Sequence, residues 1–236
     1  MNSQTEPHPQ RFEGFSKETV AFFKGLKRNN DRAWFEAHRP VYEAHVLAPA
    51  KAFVAALGER LRPLLPRINA IPRVNKSIFR LNRDTRFSLD PSPYKTNLGI
   101  YFWEGGKSRM EGTGIYFHLE PPHMMLGGGN YMFSDMQIVR FRRAVVDPKL
   151  GGELAKILAG LAELKGWEIG GRHYKRLPAG FDPAHPNAAL LLHNGLYFGR
   201  ETGIPEEFFS GRLVDYCLEA YLPLIPLHKW LLKAVA

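Results

Sequence analysis

Residues 113–129 read TGIYFHLEPPHMMLGGG, and this stretch decides the fold class. Apolar and polar residues alternate over Thr113–Glu120, which is the period of a strand with one buried face. Two prolines follow, and His123–Leu126 reads as a second strand that continues into three glycines. Because the link between the two strands is short, we expect them to pair antiparallel.

Further strand-like segments precede this hairpin. Residues 77–82 alternate, and Asn97–Trp103 is rich in aromatic residues that favour strands. A central, mainly antiparallel sheet is therefore predicted over roughly residues 74–130. The glycines at 127–129 are interpreted as a tight turn or a β-bulge, since neither a Walker A motif nor a dinucleotide fingerprint surrounds them.

Helical periodicity dominates the residues before this sheet and returns after it. Ser16 is the predicted N-cap of the first helix, and Ser134 with Gln137 forms the capping box of the helix after the sheet. A small hairpin turning at Gly170-Gly171 and terminal helices beginning at Ser210 are predicted further on.

The order of these elements indicates the fold class. Helices, then strands, then helices, without βαβ alternation, are typical of an α+β protein. We predict a single α+β domain over residues 13–236, with the sheet packed by N- and C-terminal helices. The polar residues 1–12 are predicted to be a disordered tail.

Composition excludes several protein classes. The 236 residues carry 32 Lys and Arg against 23 Asp and Glu, a net charge of +9. The single cysteine, Cys217, excludes an internal disulfide and any zinc site built on two thiolates. No apolar run has the length of a membrane-spanning helix, and the N-terminal residues lack the apolar core of a signal peptide. These features favour a cytoplasmic protein without membrane association.

Residues 73–109 are the densest polar segment, with eight basic and three acidic residues. Within it, Arg80, Arg83 and Arg86 recur every three residues around Asp84. Guanidinium groups bind phosphate or carboxylate through two parallel hydrogen bonds, so this pattern indicates an anion site. The alternative is a structural network in which Asp84 pairs with Arg83 or Arg86 and holds a turn.

The same segment carries a family resemblance. RLNRDTRF at 80–87, followed by Asp90 and by PYKT at 93–96, resembles the signature of domain-of-unknown-function family 2461. Other similar stretches are NNDRAWF at 29–35, YFHLEP at 116–121, LPAGF at 177–181 and HP at 185–186. The resemblance covers roughly Phe15 to Phe198 and implies a single α+β domain, found in bacteria and fungi, but no particular activity. Ala179 and Ala184 depart from the lysine and aspartate of the family pattern, so no role is carried over to them.

Polar residues outside the basic segment extend the candidate site. His118 and Glu120 lie two residues apart on a predicted strand and share the face opposite Phe117. No metal is expected there, because His123 follows two prolines that redirect the chain. Arg142 interrupts the apolar arc of the next helix, so it needs an ionic partner or a polar cavity.

We predict that the arginine cluster, Glu120 and Arg142 converge on one cavity, with Glu120 contacting an arginine. The predicted ligand-binding residues are Arg80, Arg83, Asp84, Arg86, Tyr94, Lys95, His118, Glu120 and Arg142, and no catalytic residue is assigned. The expected ligand is a small carboxylate or phosphorylated molecule, bound without a cofactor by an enzyme or a non-catalytic binding protein. One alternative is a nucleic-acid-binding protein, although the sequence contains no recognised nucleic-acid-binding module. The other alternative is a structural or interaction domain.

Overall fold

The structure, a computed structural model, describes residues 11–86, 88–106 and 108–235. Its α-helices are α1 (Lys17–Arg28), α2 (Arg32–Tyr42), α3 (Ala48–Leu61), α4 (Asp135–Val146), α5 (Pro148–Ala162), α6 (Leu213–Tyr221) and α7 (Ile225–Val235). Its strands are β1 (Leu98–Glu104), β2 (Thr113–Glu120), β3 (His123–Asn130), β4 (Glu168–Arg172) and β5 (His193–Gly203). Every helix in these described ranges is too short or too polar to traverse a bilayer.

The strands form an antiparallel sheet in the order β1-β2-β3-β5-β4. The predicted α+β fold with a central antiparallel sheet is confirmed. The sheet extends beyond residues 74–130, because β5 pairs with β3, and β4 pairs with the other edge of β5. Gly195, Gly199 and Gly203 interrupt the apolar pattern of β5, which is why the sequence did not reveal this strand.

Two glycine-based predictions are wrong. Gly170-Gly171 is not a turn but part of β4, with a register shift between Gly170 and Arg172. Gly127–Gly129 likewise lies inside β3, paired on both sides by β2 and β5. Within the described ranges, residues 77–82, which were predicted as a strand, make only isolated bridges, such as that of Ile78 with Ile100.

The sheet has two different faces. Ile100, Phe117 and Leu126 are buried on the inner face, where the ring of Phe117 lies 5.0 Å from that of Phe53 in α3. The outer face is formed by Gly99, Tyr101, Tyr116, His118, Met125, Gly127, Gly199 and Glu201, as the cross-strand register places them. The polar candidate residues of β2 therefore stand on the side away from the aromatic core.

Helices α1 and α4 begin at the predicted capping residues. Thr19 Oγ1 accepts a 3.2 Å hydrogen bond from the Ser16 backbone in a capping box, and Ser134 with Gln137 forms another at α4. Residues 1–10 of the predicted tail lie outside the described residues. Phe12, at the end of that tail, is buried 5.5 Å from the ring of Phe15.

A π-helix, Glu43–Leu47, joins α2 to α3. Pro49 has no N–H, so it cannot donate to the carbonyl of His45 four residues earlier. The buried Thr19 hydroxyl donates a 2.5 Å hydrogen bond to the carbonyl oxygen of His45 instead. The wider turn of the π-helix places Glu43 and Leu47 beside the segment that carries Arg80.

A buried contact between a histidine and a glutamate links the sheet to the last helix. His228 Nε2 of α7 lies 3.2 Å from Glu104 Oε2 of β1, and both side chains are almost fully buried. Burial lowers the pKa of His228 below its ordinary value, although Glu104 opposes this shift. Among the residues that the structure describes, the Nδ1 atom of His228 has no hydrogen-bond partner, so a proton added there would remain unsatisfied.

We expect the free energy of unfolding to decrease as the pH falls from about 7 to about 5. A histidine whose pKa is lowered in the folded state binds more protons when unfolded, so its contribution is lost as the pH falls below the unfolded value. Urea unfolding of His228→Gln should show a smaller pH dependence over this window than the wild type. An unchanged slope would show that His228 does not titrate between the two states.

Candidate functional site

Two arginines of the predicted cluster, Arg83 and Arg86, are held in ion pairs. Arg83 pairs with Asp90 and donates a 3.1 Å hydrogen bond to the carbonyl of Ser92. Arg86 donates to both oxygens of Asp84 at 2.9 and 2.7 Å. Hydrogen bonds from Ser92 and then Arg83 lower the pKa of Asp90 to about 2. Asp84 therefore pairs with Arg86, as in the structural alternative, whereas Arg83 pairs with Asp90.

Arg80 has a different environment. It lines a cavity of about 520 Å³ between α2 with its π-helix and the segment 74–94. We call this the α2 pocket; its lining residues are Arg32, Phe35, Glu36, Arg39, Tyr42, Glu43, Leu47, Val74, Arg80, Leu81, Asn82, Pro93 and Tyr94. Among the predicted site residues, the pocket thus brings together Arg80 and Tyr94.

Asn30 fixes the position of Tyr94. Its side-chain amide donates to the carbonyl of Tyr94 at 2.9 Å, and its Oδ1 accepts from the Tyr94 N–H at 3.0 Å. The buried ring of Tyr94 packs 4.5 Å from that of Phe35. Two sequence motifs that lie 64 residues apart are thereby joined, and the Arg80 segment is fixed against α2.

Lys95 lies on the other side of the same segment. Its Nζ is 5.4 Å from the centre of the Phe79 ring, and the guanidinium of Arg109 is 4.1 Å from the same centre. Burial, followed by the charges of Arg80 and Arg109, lowers the pKa of Lys95. Within the described residues, neither Lys95 nor Arg109 forms an ion pair with a carboxylate.

His118 and Glu120 stand on the outer face and line a cavity of about 320 Å³. The predicted arginine partner of Glu120 is replaced by Thr96, which donates to Oε1 at 2.9 Å, and by Lys27 at 3.6 Å. His118 Nδ1 is 2.9 Å from the hydroxyl of Tyr116. Burial lowers the pKa of His118 and raises that of Tyr116 to about 12.

The predicted convergence of Arg142 with Arg80 and Glu120 is wrong. Arg142 lies 5.0 Å from the ring centre of Tyr174, just beyond β4, which is the sheet edge opposite β1. Four interstrand spacings, about 19 Å, separate those edges. The sequence could not reveal this distance, because β5 is inserted between β3 and β4. A ligand-binding role for Arg142 stays a prediction.

Sequence reasoning missed Arg32, Arg109, Phe79 and Tyr116. Arg32 lies within the motif at 29–35 and Arg109 ends the basic segment 73–109, but what surrounds each of them depends on tertiary contacts such as that of Asn30 with Tyr94. The spacing of Tyr116 from His118 offered a signal, since both fall on one strand face. Across the described part of the chain, no group of three or more His, Cys, Asp or Glu residues is arranged to hold a metal ion.

Comparison with known proteins agrees with the resemblance seen in the motifs. The family of conserved hypothetical proteins DUF2461 matches residues 18–230, which is most of the chain. No curated protein matches the sequence. The two motifs joined by Asn30 and Tyr94 both lie within the matched range.

Proposed function

We propose that this chain, which belongs to the DUF2461 family, binds a small organic anion in the α2 pocket. The ligand class is a monoanion, such as a carboxylate, attached to an apolar body. The observation that carries this proposal is that Arg32 and Arg80 face an aromatic-lined cavity without an ion-pair partner among the described residues.

The pocket interior fits the apolar part of such a ligand. Phe35, Leu81 and Tyr94 are buried residues at its floor, with Leu47 and Val74 beside them. A volume of about 520 Å³ lies within the range of small-molecule sites. Burying apolar ligand surface here contributes roughly 25 cal/mol per Å² before the costs of association.

The charges at the rim favour one negative group. Three arginines and two glutamates line the pocket, so its formal charge is one positive unit. Arg39 is already paired with Glu36 through hydrogen bonds of 2.9 and 2.7 Å and is held 5.1 Å from the Phe35 ring centre. Arg32 and Arg80 therefore remain as the two guanidinium groups available to a carboxylate.

Phenylacetate is a suitable probe, because it joins a carboxylate to an apolar ring. We expect it to bind by isothermal titration calorimetry at least about tenfold more tightly than its neutral analogue phenylacetamide. At a hundred times its Kd it should raise the free energy of unfolding by about 2.7 kcal/mol. Arg80→Met and Arg32→Met should each weaken binding about tenfold or more, since each removes a charge-assisted hydrogen bond.

Arg62→Met is the matched control, because Arg62 is an exposed arginine at the end of α3 that does not line the pocket. It should leave phenylacetate binding unchanged. Equal binding of phenylacetate and phenylacetamide, or equal losses in all three variants, would contradict the proposal. Duplex DNA that binds more tightly than phenylacetate, with a steep salt dependence, would favour the nucleic-acid alternative instead.

A further inference from the structure

The outer face of the sheet carries a second polar assembly that does not belong to the α2 pocket. Tyr116, His118 and Glu120 are alternate residues of β2 and therefore share this face. The phenol oxygen of Tyr116 is 2.9 Å from His118 Nδ1, and His118 Nε2 is 3.7 Å from Glu120 Oε2. A phenol, an imidazole and a carboxylate thus follow one another along the strand.

The partners of His118 decide the direction of proton movement. Glu120 is a hydrogen-bond acceptor that Thr96 holds in place, so it favours the tautomer with hydrogen on His118 Nε2. His118 Nδ1 then accepts from the Tyr116 hydroxyl. At rest the phenol is protonated and the imidazole neutral, in agreement with the effect of burial on both pKa values.

Gly99 makes room for the phenol. It is the cross-strand partner of His118, and a Cβ at this position would lie 2.9 Å from the Tyr116 hydroxyl oxygen. The same Cβ would lie 3.2 Å from the ring of Phe79, which meets Tyr116 edge to face at 6.1 Å. The absence of a side chain at residue 99 therefore allows the hydroxyl to lie over β1, beside Phe79.

Phe79 also connects the phenol to two cations. Lys95 and Arg109 both lie over its ring, and neither is neutralised by a carboxylate within the described ranges. Arg109 donates instead to the carbonyl of Lys76. Half-buried cations that repel one another gain most from an anion with more than one negative charge.

We propose that the outer face is an acid–base site for a phosphate-class anion, in which Lys95 and Arg109 bind the oxygens and Tyr116 relays a proton to His118. A bound dihydrogen phosphate gives one proton to the Tyr116 oxygen while the phenol proton passes to His118 Nδ1. The products are hydrogen phosphate and an imidazolium that faces Glu120, so atoms and charge balance. Glu120 is a positioning residue, because it favours the His118 tautomer that leaves Nδ1 free to accept the phenol proton.

Other titratable groups surround His118. Lys27, His123 and Glu201 line the same cavity as His118 and Glu120, and Glu201 acts on His118 in the same direction as Glu120. Both carboxylates are present with and without phosphate. Their effect therefore cancels when the pKa of His118 is compared between the two conditions.

Inorganic phosphate is the probe, and NMR of the His118 ring follows its protonation at constant ionic strength, with His118→Gln used for assignment. Phosphate should raise the pKa of His118 by about one unit, because a dianion stabilises the imidazolium. Lys95→Met and Arg109→Met should each weaken phosphate binding about tenfold or more and remove this rise. Lys51→Met, at an exposed lysine of α3, should change neither quantity.

Tyr116→Phe separates the relay from the binding of charge. Phosphate should bind this variant within about threefold of the wild type. The rise in the pKa of His118 should fall by about half or more, because the hydroxyl supplies the hydrogen bonds that couple the bound dianion to the imidazolium. An equal rise without the hydroxyl would overturn the relay. A His118 pKa unaffected by phosphate in the wild type, or equal losses in Lys51→Met, would overturn the site.

Arg32→Met should reduce phenylacetate binding and leave phosphate binding intact, so the two proposals fail independently.

Discussion

Gly129→Ala is expected to destabilise the fold by about 3 kcal/mol or more. The backbone φ of Gly129 is +133°, a region that residues with a Cβ rarely adopt. An added Cβ would also lie 2.3 Å from the carbonyl oxygen of Leu196 in β5. The backbone of β5 cannot move away from this Cβ without breaking the pairing of β3 with β5. Urea unfolding monitored by circular dichroism measures the loss.

Gly199→Ala is the matched control for this substitution. Gly199 lies in β5 opposite Gly127, and a Cβ there would meet nothing closer than 3.9 Å. Its stability should stay within about 1 kcal/mol of the wild type. Equal effects of the two substitutions would show that the close approach of β3 and β5 at Gly129 is not as described.

Asn30→Ala is expected to cost about 2–4 kcal/mol. The Asn30 side chain bonds both backbone polar groups of Tyr94, and its removal leaves a donor and an acceptor of a buried residue without their partner. The same change should loosen the segment that carries Arg80 and weaken phenylacetate binding. Urea unfolding and calorimetry on the same preparation measure the two effects.

Asn29→Ala provides the comparison, since Asn29 is the adjacent residue and its side chain donates an exposed hydrogen bond to the carbonyl of Gly25. Its cost should be below about 1 kcal/mol, and phenylacetate should bind it as tightly as the wild type. If Asn29→Ala is as damaging as Asn30→Ala, the loss comes from the end of α1 and not from the link to Tyr94.

The sequence predicted elements whose local pattern is uninterrupted. The alternation of Ile115, Phe117 and Leu119 indicated β2, and the capping residues Ser16 and Ser134 marked their helices. β5 was missed because its glycines mask the alternation. One of these glycines, Gly195, has a physical role in the sheet, since an added Cβ there would lie 2.1 Å from the carbonyl oxygen of Tyr131.

The candidate site was harder to predict because it depends on contacts between distant residues. The pairing of Arg86 with Asp84 joins residues close in sequence, and it was one of the two interpretations that the sequence allowed, the other being anion binding. The separation of Arg80 from Arg142 depends on strand order, which no local pattern reports. Arg32 reaches the cavity through the link between Asn30 and Tyr94, a tertiary contact across 64 residues.

A crystal structure of the protein saturated with phenylacetate tests the proposed function most directly. The account predicts density for the carboxylate between Arg32 and Arg80, and for the ring against Phe35 and Leu81 at the floor of the α2 pocket. The ion pair of Arg39 with Glu36 should remain unchanged. An empty α2 pocket at saturating phenylacetate, or density for the probe only outside this pocket, would contradict the account.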